Sequence, residues 1–199
     1  MQDSRQSRIA TALNLFERLA ALVVSKPEKL KISADITSVM VNLDITIHPD
    51  DFATLIGKRR RNLVQMETLL EMMLRGTGME YYIPDVADTG EEKGELREWE
   101  NPNWPREKVL KLLADLARAC FPNERTAVEA KDVAAVGGVN KAGQRTRLNV
   151  LFERDVEGMG RFIKAVSLLF LPVSKVHGVK LLTDCKFVTG EDLIKRATA

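Results

Sequence analysis

Two closely spaced segments in which apolar and polar residues alternate constrain the fold of this chain more than any other feature. Apolar residues occupy every second position in segments 32–36 and 41–47. They are Ile32, Ala34, Ile36, Val41, Leu43, Ile45 and Ile47. A period of two predicts strands with one buried face, and the short link between the segments predicts a hairpin. A segment of helical period, 9–23, precedes them, and Pro27 marks a point by which that helix should have ended.

A second pair of helices and a third strand are predicted after the hairpin. Pro49 starts a short helix that runs through Phe52, Leu55 and Ile56, and Gly57 ends it. The aspartates at positions 50 and 51 are interpreted as ordinary capping of that helix. A longer helix with an apolar face follows at 63–73, and "MEYYIP" predicts a strand. The order is therefore helix, strand, strand, helix, helix, strand.

The second half of the chain repeats this order. The pattern predicts a helix from Pro105, strands over 126–136 and 147–153, a helical region over 155–176 that Pro172 interrupts, and a last strand "VKLLTDCKF". We expect an α+β protein of two tandem αββααβ domains, each a three-stranded sheet with helices on one face. The boundaries are 1–87 for the first domain, 88–104 for an acidic linker that contains Trp99 and Trp104, and 105–199 for the second.

Composition limits the classes of protein to which the chain can belong. Of its 199 residues, 45% are apolar and 29% charged, and the formal net charge of +2 means that any basic binding surface must be local. The N-terminus does not have the uninterrupted apolar stretch of a signal peptide, and no apolar segment is long enough to cross a bilayer. The two cysteines are expected to be buried and reduced, which predicts a cytoplasmic setting.

The feature that most directly suggests a function is the basic segment 58–61. Gly57 is followed by four cations where a helix should begin, at the end that already carries a partial positive charge. Each cation there should cost a few tenths to about 1 kcal/mol. A bound phosphate would reverse the sign, because free N–H groups and cationic side chains would both attract it. The alternative interpretation is a solvated charge run on an exposed turn.

The sequence "VNLDITIHPDDFATLIGKRRRNLVQMETLL" resembles the core of a K-homology (KH) domain, in particular the type II fold of small, single-domain bacterial KH proteins that bind RNA. The resemblance covers roughly residues 8–84. Its most specific part is Pro49-Asp50-Asp51 followed by Ile56-Gly57-Lys58 and Arg61. It implies that the loop holds the sugar-phosphate backbone of a single strand while an adjacent apolar groove receives about four nucleotides.

One departure from the family is evident in the loop itself. The family has G-x-x-G, whereas this chain has Gly57-Lys58-Arg59-Arg60, with arginine in place of the second glycine. The resemblance implies contacts with single-stranded RNA, or with single-stranded DNA as a close variant. The residues expected to make them are Ile56, Gly57, Lys58, Arg59, Arg60 and Arg61, with Lys58 and Arg59 directed at phosphates.

The second domain is expected to be a degenerate copy that does not clamp phosphate. Alignment of the two halves places four missing residues at its loop, around "DVEGMGRFIKAV". The turn "GGVNKAGQRTR" carries Lys141, Arg145 and Arg147, which either make secondary phosphate contacts or only solubilise the turn.

An enzyme is not expected. His48 and His177 have no partner at metal-ligand spacing, and the chain contains no nucleophile elbow or H-E-x-x-H motif. No cofactor, metal or membrane partner is predicted. The alternative function is a non-catalytic scaffold, with a protein partner or a second copy of the chain, built on KH-like folds that have lost nucleic-acid binding.

Overall fold

The computed structural model describes the backbone of residues 2–92, 106–133, 145–176 and 180–197, and side chains within 4–92, 106–131, 146–174 and 181–194. The chain divides into two compact units, Met1–Glu98 and Trp99–Ala199, which we call unit 1 and unit 2. Both contain helices and a sheet, so the chain is an α+β protein. Most of the segment predicted as a linker, including Trp99 and Trp104, lies outside the described residues.

The described part of unit 1 contains three helices and four strands. They are α1 (Gln2–Val23), β1 (Lys31–Ile36), β2 (Met40–Ile47), α2 (Pro49–Ile56), α3 (Arg61–Leu74), β3 (Glu80–Tyr82) and β4 (Ala87–Asp88). A short 3₁₀ turn follows α1 at Pro27–Lys29, and another links α2 to α3 at Lys58–Arg60. The predicted order of helices and strands therefore holds for unit 1 as far as β3.

The sheet of unit 1 is built around β2. β1 is antiparallel to it, and β3 and β4 both lie parallel to its other edge, at opposite ends of the strand. The single strand predicted for "MEYYIP" is therefore shorter than expected and is followed by a separate two-residue strand. Pro84 lies in the gap between them, where it has no N–H group to donate to a strand partner.

The core of unit 1 lies on one face of this sheet. Val41, Leu43, Ile45 and Ile47 are buried, whereas the residues that alternate with them are exposed or half-buried. α1 and α3 pack together and supply most of the remaining core, including Phe16 and Met66. The alternation in the sequence therefore identified the buried face of β2 correctly. The same prediction is wrong for β1, in which every residue is exposed or half-buried.

Three helices and three strands lie in the residues of unit 2 that the structure describes. They are α4 (Arg106–Cys120), β5 (Thr126–Val133), β6 (Arg145–Phe152), α5 (Met159–Val176), β7 (Lys180–Phe187) and α6 (Gly190–Ala197). β5 is antiparallel to β6, and β7 is parallel to it, so the sheet has the same strand directions as β1, β2 and β3.

The second unit lacks the short helix that precedes α3 in unit 1. Residues 48–60 connect β2 to α3, whereas only residues 153–158 connect β6 to α5. Paired residues of β2 and β3, such as Met40 and Glu80, are 80 − 40 = 40 positions apart in sequence, whereas paired residues of β6 and β7, such as Arg145 and Lys180, are 180 − 145 = 35 apart. Unit 2 is therefore five residues shorter between these strands, not four as we expected. A six-residue connection has no room for a helix, a basic loop and a second helix start. The predicted αββααβ order is therefore not present in unit 2.

The helix α5 continues through Pro172 instead of being interrupted there. Proline inside a helix removes one backbone hydrogen bond and costs about 3 kcal/mol or more. Pro172 is itself buried, and Leu169, Phe170 and Val173 around it are fully buried beside β7. We infer that this packing outweighs the local preference.

A terminal helix that the pattern did not predict covers the other face of the second sheet. Phe152 packs against Phe121 and faces α4 and α5, so its neighbour Leu151 lies on the opposite face. There Leu193 of α6 packs on Leu151 and Ala127. The expectation of helices on one face is therefore wrong for unit 2.

Candidate nucleic-acid interface

The helix that leads into the basic loop is held at its start by a histidine. The backbone N–H of Asp50 donates to Nδ1 of His48 at 3.1 Å, so His48 is the N-cap of α2. Asp51 is buried, and its carboxylate accepts from the backbone N–H groups of Ser25 at 2.6 Å and Lys26 at 3.0 Å. The interpretation of both aspartates as helix caps is therefore wrong: Asp51 anchors α2 to the segment that follows α1.

Gly57 makes the sharp corner after α2, and only glycine fits there. Its φ of +74° lies in the left-handed region, and a Cβ atom would lie 2.7 Å from Cγ of Asn62 and 2.9 Å from the Asn62 backbone nitrogen. Asn62 is buried and donates from Nδ2 to the carbonyl of Thr54 at 2.7 Å. This bond satisfies a carbonyl at the end of α2 and fixes the angle between α2 and α3.

The loop that follows holds two arginines in a conformation normally reserved for glycine. Arg59 has φ of 57° and Arg60 has φ of 59°. Left-handed backbone costs roughly 1–2 kcal/mol for a residue with a Cβ atom. Glycine at either position would adopt this backbone without strain. Strain of this kind is a common feature of functional loops.

The first turn of α3 has no anionic residue to balance its positive end. Arg60 is the N-cap residue without a side-chain cap, and no acidic residue occupies the first turn. Among the described residues, Lys58, Arg59 and Arg61 are exposed and have no ion pair or hydrogen-bonded side-chain partner. Three cations and the end of a helix dipole are therefore directed at solvent without compensation.

Arg60 differs from its neighbours because two carboxylates contact it. Its guanidinium lies 3.3 Å from Glu67 Oε1 on α3 and 3.7 Å from Asp85 Oδ1, just beyond β3. Arg60 is about half exposed and Asp85 fully exposed, so each contact contributes at most about 1 kcal/mol. These contacts place the loop beside the edge of the sheet.

Apolar surface lies on the helices on both sides of the loop. Ile56 is half-buried, and Phe52, four residues earlier on the same face of α2, is 38% exposed. Val64, in the first turns of α3, is 43% exposed. Leu55 is the apolar residue of α2 that is buried. Exposed apolar residues beside a basic loop are suited to nucleobases.

The secondary basic residues predicted in the second half lie in unit 2. Lys141 is outside the described residues, Arg145 begins β6, and Arg147 is exposed on β6. The turn that replaces the basic loop there contains Arg154, whose guanidinium contacts Glu124 at 2.7 and 3.2 Å. This hydrogen bond lowers the pKa of Glu124 and raises that of Arg154. The cation nearest to the missing loop therefore already has a carboxylate partner.

Other chemistry is not evident in the parts of the chain that the structure describes. No group of three or more His, Cys, Asp or Glu side chains there is placed to hold a metal ion. Burial raises the pKa of the half-buried Cys185 thiol, which disfavours the thiolate. An open cleft of about 570 Å³ lies at the opposite end of α3, between Glu71, Arg75 and Glu80, and the basic loop does not line it. None of the described helices combines the length and hydropathy that a membrane span requires.

Comparison with family models, curated proteins and solved structures gives no match.

Proposed function

We propose that this protein binds single-stranded nucleic acid, most favourably RNA, through the loop 56–61 of a KH-like unit 1. The observation that carries the proposal is a group of three exposed cations at the positive end of α3, Lys58, Arg59 and Arg61, which have no ion-pair partner among the described residues. A sugar-phosphate backbone supplies the negative charge that the described residues do not supply there.

The arrangement around the loop supports the KH-like assignment of unit 1. A helix precedes an antiparallel hairpin, two helices meet at the loop, and β3 is parallel to β2, which is the order that the resemblance implies. Phe52 and Val64 supply apolar surface beside the loop. In this proposal phosphates contact the cations, and bases contact the apolar side chains of the two helices.

Arg60 has a separate role in the proposal. Its contacts with Glu67 and Asp85 direct it to the sheet edge, so Lys58, Arg59 and Arg61 are the phosphate ligands and Arg60 fixes the loop. Three phosphate contacts predict a slope of about −2 for log K against log salt with a single strand.

The test is titration of the full chain with short labelled oligonucleotides at several salt concentrations. We expect the double variant Lys58→Asp with Arg59→Asp to lose binding and to keep its circular dichroism spectrum. The matched control is Lys108→Asp with Lys111→Asp, which makes the same charge change on the exposed side of α4 and should keep binding. RNA and DNA of one sequence show whether the 2′-hydroxyl contributes. If the wild-type chain binds no oligonucleotide at low salt, the proposal is refuted.

A scaffold function is the second candidate, and the edge of the first sheet favours it. β1 is an edge strand, and Ile36 and Val39 near its end are 50% and 60% exposed. Unpaired edges with apolar residues favour strand addition by another chain. This function predicts self-association or protein binding that the Lys58→Asp, Arg59→Asp variant retains.

A further inference from the structure

The sheet of unit 2 has an outer face, which we define as the face opposite α4 and α5. Leu148, Val150 and Phe152 are buried toward those helices, so the residues that alternate with them belong to the outer face. The described outer-face residues are Ala127, Glu129, Lys131, Arg147, Asn149, Leu151, Leu182, Asp184 and Lys186.

The two ends of the outer face differ in chemistry. At one end Leu193 of α6 covers Ala127 and Leu151, which are buried, although Lys186 beside Leu151 is partly exposed. At the other end Lys131 pairs directly with Arg147 across the strands, and both side chains are exposed. Two residues before Arg147 on β6, the register pairs Arg145 with Lys180, so both residues of that pair are also cations.

Like charges directly opposite each other destabilise a sheet. The described outer face has two carboxylates, Glu129 and Asp184. Glu129 lies 3.6 Å from Lys131, 3.7 Å from Lys186 and 2.9 Å from the Asn149 amide, so it is shared by two cations. Within the described residues Arg147 has no ion pair. Among the described residues, this end of the face therefore carries an exposed cation, Arg147, without an ion-pair partner.

The same register positions in unit 1 carry no cation. Asp35, Asn42 and Tyr82 occupy the row that corresponds to Lys131, Arg147 and Leu182. The strand directions are the same, so the fold does not require cations at this row. A ligand that carries negative charge gives a physical reason for them.

We propose that Lys131 and Arg147 form a second contact surface for the phosphates of single-stranded nucleic acid. The proposal rests on the function proposed for the loop and extends it to longer strands. Leu182 is the one apolar side chain in the row and is half-buried, and none of the described outer-face residues is aromatic. The contact is therefore with phosphates and independent of base sequence. A lipid surface would favour exposed apolar side chains beside the cations, which this row does not have.

The test uses the full chain with Lys131→Gln and Arg147→Gln together. Removal of two phosphate contacts should reduce the slope of log K against log salt by about 1.4 for an oligonucleotide of about 20 nucleotides. Affinity at about 50 mM salt should fall roughly tenfold or more. An oligonucleotide of about five nucleotides, which the loop alone can hold, should bind this variant as tightly as it binds the wild type. The control, Lys108→Gln with Lys111→Gln, removes the same charge from α4 and should change neither value.

The outcomes separate this inference from the proposed function. If wild type binds no oligonucleotide, both fail. If wild type binds, the loop variant loses binding and the outer-face variant keeps the wild-type slope, this inference alone is overturned. It is also overturned if the α4 control shifts the slope equally, or if the outer-face variant loses binding to phosphatidylserine vesicles but not to the oligonucleotide.

Discussion

The two units have the same strand directions but carry their exposed positive charge in different places. In unit 1 it lies on the loop between α2 and α3, and the outer row of the sheet contains Asp35 and Asn42. In unit 2 the loop is missing, and the cations lie on the sheet at Lys131 and Arg147. A similar arrangement of strands therefore does not determine where a unit can contact an anion.

The difference begins with the length of one connection. Residues 48–60 allow a helix, a glycine corner and a strained turn, whereas residues 153–158 allow only a turn. The longer connection requires particular residues, since Gly57 has no room for a Cβ atom and two arginines adopt left-handed backbone. The shorter connection has none of these requirements.

The largest expected effect tests the requirement for glycine. Gly57→Ala should lower the free energy of unfolding by about 3 kcal/mol, because left-handed backbone costs 1–2 kcal/mol and the new Cβ atom overlaps Asn62. Urea denaturation followed by circular dichroism measures the change.

The matched control lies in the helix of unit 2 that has no basic loop before it. A Cβ atom at Gly160 of α5 would meet nothing within 4 Å, so Gly160→Ala should be neutral or stabilise by up to about 1 kcal/mol. Equal losses at the two glycines would show that the corner at Gly57 is not specially constrained.

The second expected effect concerns the helix that unit 1 does not have. Leu193→Ala should lower the free energy of unfolding of unit 2 by about 2 kcal/mol, because Leu193 is 1% exposed on Ala127 and Leu151. Ile194→Ala is the control on the same helix: its side chain is 52% exposed and should change stability by less than about 0.5 kcal/mol. If Leu193→Ala has no effect, α6 does not contribute to the stability of unit 2.

Periodicity alone was enough to predict most helices and strands. The alternation over 41–47 identified β2 and its buried face, and helical spacing identified α1, α3 and α4. These patterns work because burial on one side of a regular element repeats along the chain. α6 was missed, although Thr189 with Asp192 three residues later is a helix-start signal and the Asp192 N–H donates to the Thr189 hydroxyl at 3.3 Å.

The geometry of the candidate site was less accessible to sequence reasoning. The basic residues 58–61 were evident, but left-handed backbone at two arginines contradicts local preference and follows only from tertiary constraints. The contact of Arg60 with Asp85 joins residues far apart in the chain. The role of His48 depends on its ring being held beside Asp50, and no spacing rule predicts that.

A third, smaller effect of opposite sign tests the strain in the loop. Arg59→Gly should raise the free energy of unfolding by about 1 kcal/mol, because glycine adopts φ of 57° without strain and Arg59 makes no ion pair in the described chain. Binding should weaken at the same time, since one phosphate contact is lost. Arg61→Gly is the control at an ordinary helical φ of −56°, where glycine should destabilise. Equal effects at both positions would remove the argument that the loop is strained.

The smallest expected effect is on the pH dependence of stability. It distinguishes Arg154, which has a carboxylate partner, from the loop cations. The hydrogen bond from Arg154 holds the pKa of Glu124 below its ordinary value of 4.5, so the pair stabilises the folded state above about pH 4.5. This contribution is lost as the pH falls through the lowered pKa, because protonated Glu124 no longer attracts the guanidinium. Arg154→Gln should therefore be less stable than wild type at pH 7 and equal to it in strong acid, as measured by urea unfolding at both pH values. Lys58→Gln should show no such convergence, because Lys58 has no carboxylate partner among the described residues. A deficit of Arg154→Gln that persists in acid would mean that Arg154 stabilises unit 2 by packing and not by charge, and the contrast with the loop cations would then be lost.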